Sequence, residues 1–286
     1  MGRFHWIENF RSQHLPSERL VTIYLPPGYD AEPERRYPVL YLHDGQNLFD
    51  PQRAYVPGEI WHVHATTRHL IQRGEVSPLI VVGIDHAGPN RIDEYTPTQD
   101  MRSRRGGKAK AYGRMLVEEL KPLIDSRFRT LPDACHTGLG GSSLGGLVTL
   151  YLGFRLPHVF GRLAILSPSL WWDRKIMLQR LRANIHRRRS WIWLDIGTRE
   201  GRFFQQTVSN TRALRDELVK RGWKEGQNLR YFEDRDATHS ESAWAHRFPE
   251  VLKFLYPPAG RPGPCDDPEI TLPVKPKAPV NDDAIW

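Results

Sequence analysis

Leu139-Gly140-Gly141-Ser142-Ser143-Leu144-Gly145-Gly146 is the stretch on which the reading of this chain turns. It matches G-x-S-x-G centred on Ser143. The apolar run behind it, Leu147-Val148-Thr149-Leu150-Tyr151-Leu152, reads as a buried helix, and a short strand, roughly Cys135 to Leu139, leads in. Small residues on both sides of a serine at a sharp strand-to-helix turn suit a nucleophile elbow. Gly141 and Gly145 keep Cβ atoms out of the crowded turn, so that Ser143 projects from it. The N–H of Leu144 then opens a helix, where backbone donors lack intrahelical acceptors and can face an oxyanion. A glycine-rich turn can also merely connect strand to helix, so the motif needs partners elsewhere in the chain. It is not a phosphate cradle. No lysine follows the glycines, and Ser143 stands where a G-x-G-x-x-G run from Gly138 needs its third glycine.

Outward from the elbow, strands alternate with helices. Leu20 to Leu25, Pro38 to Leu42, Leu79 to Ile84, Leu163 to Leu166, Trp191 to Ile196 and Leu229 to Phe232 read as strands. Trp61 to Gln72, Tyr112 to Phe128 (kinked or broken at Pro122), Thr207 to Arg221 and Ser242 to Leu255 read as helices. This alternation predicts an α/β fold, a mostly parallel central sheet with helices on both faces. In such sheets chemistry lies beyond the carboxyl ends of the strands. The strand exits here are His43 to Asn47, Asp85-His86, Ser143, Ser167 to Trp172, Asp195 to Glu200 and Glu233 to His239. The aperiodic segment from His86 to Gly107 is long enough to be read as a functional or mobile loop.

Composition is consistent with one α/β body, residues 1–256, and a proline-rich extended tail, 257–286. An apolar fraction of 39% supports a sizeable core, and most of the nine tryptophans are expected to pack within it. Cys135 in the strand and Cys265 in the tail read as free thiols. No signal peptide or long apolar span is visible, so the expected location is cytoplasmic with no membrane partner. Net charge is +8. Two basic clusters contribute, Arg102/Arg104/Arg105/Lys108/Lys110 and His186-Arg187-Arg188-Arg189. Neither is interleaved with aromatics as in a nucleic-acid module, so both read as solvated surface and no nucleic-acid partner is expected. The apolar end Ile285-Trp286 could dock the tail on a second copy, giving a homo-oligomer.

A serine hydroxyl needs a base, and the base an orienting carboxylate. Doubly wound hydrolases run serine, acid, histidine along the chain. That order selects His239, in Asp236-Ala237-Thr238-His239-Ser240-Glu241, over His43 and His86. Between serine and histidine, Glu200 lies on a loop with freedom to reach an imidazole, while Asp195 at the strand end is the alternative acid. A second oxyanion donor is expected at Gly45–Gln46. His43, Asp44, Arg91, Glu94, Tyr95, Trp171 and Trp172 are expected around the substrate pocket. His43 and Asp44 serve equally as loop braces. No metal or cofactor is called for.

The chain resembles the esterase D family within the α/β-hydrolase fold. The resemblance is carried by Tyr24-Leu25-Pro26-Pro27-Gly28-Tyr29, Tyr37 to Gly45, Glu118 to Asp125, Gly141 to Gly146, Ser167-Pro168-Ser169 and the His239 loop, which span the body in order. It implies a Ser143–Glu200–His239 triad and acyl-enzyme chemistry, with glutamate where aspartate is commoner. Related enzymes include feruloyl and acetyl xylan esterases, siderophore esterases, S-formylglutathione hydrolase and mycolyl transferases. The expected activity is therefore hydrolysis of a small acyl, aryl or carbohydrate-linked ester. Acyl transfer to an alcohol on the same fold and a non-catalytic anion-binding module are the competing readings.

Overall fold

The computed structural model describes residues 2–183 and 190–271. Among the described residues, eight strands form one sheet: β1 (Arg3–Phe10), β2 (Arg19–Leu25), β3 (Val39–His43), β4 (Ile80–Ile84), β5 (Thr137–Ser142), β6 (Arg162–Leu166), β7 (Trp191–Gly197) and β8 (Leu229–Asp234). Their order is β1-β2-β4-β3-β5-β6-β7-β8. β3 to β8 are parallel, and β1 and β2 add an antiparallel edge. This is the expected α/β fold. β1 is the strand that the sequence reading missed: it mixes polar and apolar residues, is mostly half-buried or exposed, and carries the solvent-facing Trp6.

Two apolar layers cover the sheet. On one face Leu147, Val148 and Leu150 of the elbow helix (Leu144–Arg155) pack with Met115, Leu120, Leu214 and Leu218. On the other, Phe248, Val251, Leu252 and Leu255 of the last helix (Glu241–Leu255) pack with Val63 and Leu70 of the first (Val63–Gln72). The helix expected to kink or break at Pro122 runs on without a break, through a widened turn, Met115–Leu120, into Lys121–Arg127. Lys121 N–H donates to Leu116 O, five residues back, and Pro122, which has no N–H, follows at the start of the next segment.

β5 sits at the centre, and its residues have poor strand propensity. Gly138, Gly140 and Gly141 are held by pairing with β3 and β6, where Gly140 lies against Ala164 and Leu42. β5 runs to Ser142, placing Ser143 directly at its carboxyl end; Cys135 precedes it in a short turn, Ala134–His136.

Two expectations are corrected here. Cys135 and Cys265 are not free thiols but a disulfide with a Cα–Cα separation of 5.0 Å. The tail is also not extended throughout. A turn at Pro264–Asp266 and a short helix at Pro268–Thr271 return it to the amino ends of the strands. There Ile270 is buried and Asp267 accepts a hydrogen bond from Trp191 Nε1 at 3.1 Å. A buried indole N–H needs an acceptor, and the tail supplies it. The expected docking end, Ile285-Trp286, and the second basic cluster lie outside the described residues. In the first cluster Arg105 and Lys108 both face Asp93, at 3.6 and 3.7 Å. The 86–107 segment is anchored by short helical turns at Gly88–Asn90 and Arg91–Glu94. Among the described residues, no helix is long and apolar enough to cross a membrane.

Candidate active site

Ser143 takes φ 58° and ψ −120°, a conformation that a side-chain-bearing residue adopts only when its surroundings enforce it. The enforcement is visible. Ser143 N–H donates to Leu166 O at 3.0 Å, and its own carbonyl accepts from Leu147 N and Ser169 N. A Cβ on Gly141 would lie 3.0 Å from the His43 ring, one on Gly145 3.3 Å from Asp44 Oδ2, and one on Gly146 2.8 Å from Leu166 O. Backbone strands therefore close around the serine as a turn of this sharpness requires. Leu144 begins the elbow helix, so its N–H has no intrahelical acceptor and stands beside the serine. Ser143 Oγ hydrogen-bonds Ser169 Oγ at 3.2 Å rather than the imidazole of His239.

Beneath the elbow lies His43. It is buried, its Nδ1 is 2.9 Å from Tyr112 Oη, and burial lowers its pKa to about 3. It is thus a neutral brace rather than a surface base. Asp44 follows in the left-handed region (φ 57°) and turns the chain into the tight helix Gly45–Asn47. Gly45 is obligatory there, since a Cβ would fall 2.8 Å from both Gly83 C and Asp85 Oδ1. The N–H groups of Gly45 and Gln46 open this turn. Arg91 clamps Asp44 with two bonds, Nε–Oδ1 at 2.7 Å and Nη2–Oδ2 at 2.8 Å. Burial alone would raise the Asp44 pKa; the Arg91 charge and hydrogen bonds outweigh it and hold the carboxyl below its ordinary value.

Glu200 is buried, with both oxygens engaged. Oε2 is 2.8 Å from His239 Nδ1. Oε1 accepts from Gly197 N–H at 2.7 Å and from the Ser167 hydroxyl. His239 itself stays partly open to solvent, its ring edge-on to Trp244 at 4.8 Å. Asp195 is placed differently. It accepts from Trp193 Nε1 (2.7 Å) and Ser167 N–H (3.2 Å) and faces Arg247 Nη2 at 3.1 Å. No bond joins it to His239. Burial raises its pKa to about 6, against the pull of Arg247.

Arg247 ties this region together. Fully buried, it lies 3.1 Å from Asp195, 3.6 Å from Glu200 and 3.3 Å from Asp234, and donates to Ser167 Oγ at 2.8 Å. The sequence reading missed it. The available signal was helical spacing: Trp244, Arg247, Phe248 and Val251 share a buried face, and a charged residue on such a face needs a partner.

A cleft of about 360 Å³ opens in front of His239 and Glu200, lined also by Ser169, Trp171, Arg202 and Phe203. Trp171 and Phe203 are 58% and 71% exposed, so the cleft has aromatic lips. Of the expected pocket residues, only Trp171 lines this cleft. Trp172 is buried, its Nε1 donating to Thr98 O at 3.0 Å. Glu94 is not a pocket wall: it is buried in a paired bridge to Arg19, at 2.9 and 3.2 Å. Tyr95 is likewise buried, its Oη accepting from Asp44 N–H at 3.3 Å. Gln46 is anchored by its Oε1, which accepts from His86 N–H at 3.3 Å.

Residues 12–255 match the sequence profile of the family described as "Putative esterase". Among curated proteins, the chain is 26% identical over 257 residues to "Uncharacterized protein YbbA" of Bacillus subtilis (strain 168), covering 86% of this chain and 95% of that one. Two solved structures share the fold. A ferulic acid esterase superposes with a TM-score of 0.68 at 19% identity, covering 88% of this chain and 97% of the other. The enterobactin esterase FES of Shigella flexneri superposes with a TM-score of 0.69 at 21% identity, covering 88% of this chain and 58% of the larger protein.

Proposed function

The chain belongs to the "Putative esterase" family, and from that premise we propose that it is a serine carboxylic-ester hydrolase that works through an acyl-enzyme. The observation that carries this reading is the Glu200 Oε2–His239 Nδ1 contact of 2.8 Å, held on the same cleft as Ser169, the hydrogen-bond partner of Ser143. Glu200 orients the imidazole and fixes its Nδ1 proton, leaving Nε2 to act as base. Ser143 Oγ attacks the ester carbonyl as His239 takes its proton. The carbonyl oxygen becomes an oxyanion facing the N–H of Leu144 and those of Gly45 or Gln46. Collapse breaks the acyl–oxygen bond, and His239 returns the proton to the departing alcohol. Water, deprotonated by His239, then attacks the acyl-serine and releases the acid and Ser143. His239 swings into reach of Ser143 on substrate binding, as catalytic hydrogen bonds often tighten only in the loaded site.

The substrate class is a small acyl, aryl or carbohydrate-linked ester. A cleft of about 360 Å³ between Trp171 and Phe203 accommodates a single ring or a short chain. Ester substrates of the ferulate and enterobactin kind are named for the structural neighbours and support this choice.

Hydrolysis of p-nitrophenyl acetate, butyrate and octanoate, methyl ferulate and acetylated xylan tests the reading. Activity is expected on at least one short or aryl ester, with a serine-bound acyl adduct detectable by intact mass. Ser143→Ala is expected to abolish both. Full turnover by Ser143→Ala would overturn the assignment.

A further inference from the structure

Glu241 lies two residues beyond His239, at the first turn of the last helix, and it is not part of the Ser143–Glu200–His239 set. Its carboxylate joins segments far apart in the chain. Oε1 accepts from Asn47 Nδ2 at 2.8 Å, and Oε2 accepts from Trp61 Nε1. Asn47 ends the tight turn Gly45–Asn47 that carries the proposed second oxyanion donor. The turn is fixed further through the same residue: Asn47 N–H donates to Asp44 O, Asn47 O accepts from Trp61 N–H, and Asn47 Oδ1 accepts from Tyr55 N–H, each at 2.9 Å. Trp61 in turn packs against Trp244 and Phe248 of the last helix, with ring centroids 6.2 and 5.7 Å apart. Trp244 is the residue whose ring abuts His239.

We propose that Glu241 is a positioning residue that registers the oxyanion turn against the histidine loop. The proposal rests on the esterase reading above. Two donors converge on one side chain, and only a carboxylate offers two acceptors with no donor of its own. A glutamine there would keep one bond and set its NH₂ against the other N–H. The turn would then be held less firmly to the helix that follows the His239 loop. Misplacing an oxyanion donor by a fraction of an ångström weakens transition-state stabilisation while leaving substrate binding nearly unchanged. Burial raises the Glu241 pKa to about 7, opposed by its bonds to Trp61 and Asn47. The Asp44 charge raises it further and the Arg91 charge lowers it.

The test compares Glu241→Gln with the unmodified enzyme on a p-nitrophenyl ester, alongside a trifluoromethyl ketone whose serine adduct places an oxyanion in the hole. Glu241→Gln is expected to lower kcat ~10–100-fold, a fraction of what losing an oxyanion donor outright does. KM should stay within about twofold, and the ketone Ki should rise by the same factor as kcat falls. Active-site titration corrects kcat for folded enzyme. Asn47→Ala should reproduce the loss, and the double variant should be no worse than the worse single, since both remove one tie. Where Glu241→Gln does not fold, Trp61→Phe removes only the Oε2 bond and is expected to give the same pattern in smaller measure. Unchanged kcat and Ki per folded site, or fully additive losses, overturn the proposal while leaving the esterase reading in place. An unmodified enzyme that hydrolyses none of the esters, or a Ser143→Ala variant that hydrolyses them fully, takes down both.

Discussion

Two arginines are buried at opposite ends of the sheet, and they keep different company. Arg247, at the carboxyl ends of β6 to β8, faces Asp195, Glu200 and Asp234. Arg162, the first residue of β6, donates instead to the carbonyls of Cys135 and Leu255, and its Nη2 lies 3.6 Å from Cys265 Sγ. Its guanidinium also covers the Tyr256 ring at 4.5 Å. Burial without a paired carboxylate lowers the Arg162 pKa to about 10. The amino end thus uses a cation to fasten neutral chain segments. Beyond β6 to β8, three acids instead crowd around one cation, an arrangement that is electrostatically demanding and rarely favourable for stability alone. Charge is concentrated where chemistry is expected.

That contrast is tested most severely within the acidic cluster itself. Glu200→Gln is expected to lower kcat ~10³–10⁴-fold on any ester the enzyme turns over, because the imidazole loses the carboxylate that sets its tautomer. Asp195→Asn should lower it less than about tenfold, since Asp195 bonds Ser167, Trp193 and Arg247 but not His239. Steady-state kinetics on purified variants decide the matter, and a reversed ranking would transfer the orienting role to Asp195.

Stability should separate the two ends next. Arg247→Met leaves buried carboxylates without their cation and is expected to destabilise the fold by ~3–5 kcal/mol in urea unfolding, with activity lost as well. Cys265→Ser opens a crosslink spanning 130 residues at the other end. It should destabilise by ~2–4 kcal/mol yet leave kcat at 25 °C unchanged. A fall in kcat for Cys265→Ser, measured per folded molecule, would mean that the two ends are coupled.

Much of this contrast was legible in the sequence at one end only. The elbow, the alternation of strands and helices, and the positions of Glu200 and His239 at strand exits follow from local pattern and from where parallel sheets expose their ends. Long-range partners do not. Arg247 and Ser167 are 80 residues apart, and nothing in either local stretch names the other. Glu94 sat in a loop and looked available, but Arg19, 75 residues away, draws it into the core. The disulfide escaped for the same reason. Proline-rich composition argued for an extended tail, while the fold returns that tail to Cys135 and offers Trp191 as an anchor. Charge pairing and crosslinking are settled by topology, which composition does not encode.

The smallest expected effect concerns pH, and it sets stability against activity at the carboxyl end. Burial raises the pKa of Glu241 to about 7 and of Asp195 to about 6. Unfolded carboxyls titrate near 4. Between these values the folded chain binds more protons than the unfolded one, so the contribution of both groups to stability is full below about pH 4 and is lost as pH rises through about 6 to 7. Asp44 runs the other way: its pKa is lowered, so its contribution is present above the unfolded value and lost in acid. Activity should follow the opposite course to the first pair, because Glu241 holds the oxyanion turn with two acceptors only when ionised. From pH 5 to 8, kcat is expected to rise while the Asp195 and Glu241 contribution to unfolding free energy falls. Urea unfolding across that range, for the unmodified protein beside Asp195→Asn and Glu241→Gln, isolates the term, since each substitution should flatten the slope in its own window. Parallel stability curves for all three would mean that neither carboxyl takes up a proton on folding, and the carboxyl end would then owe its charge cluster to Arg247 pairing alone.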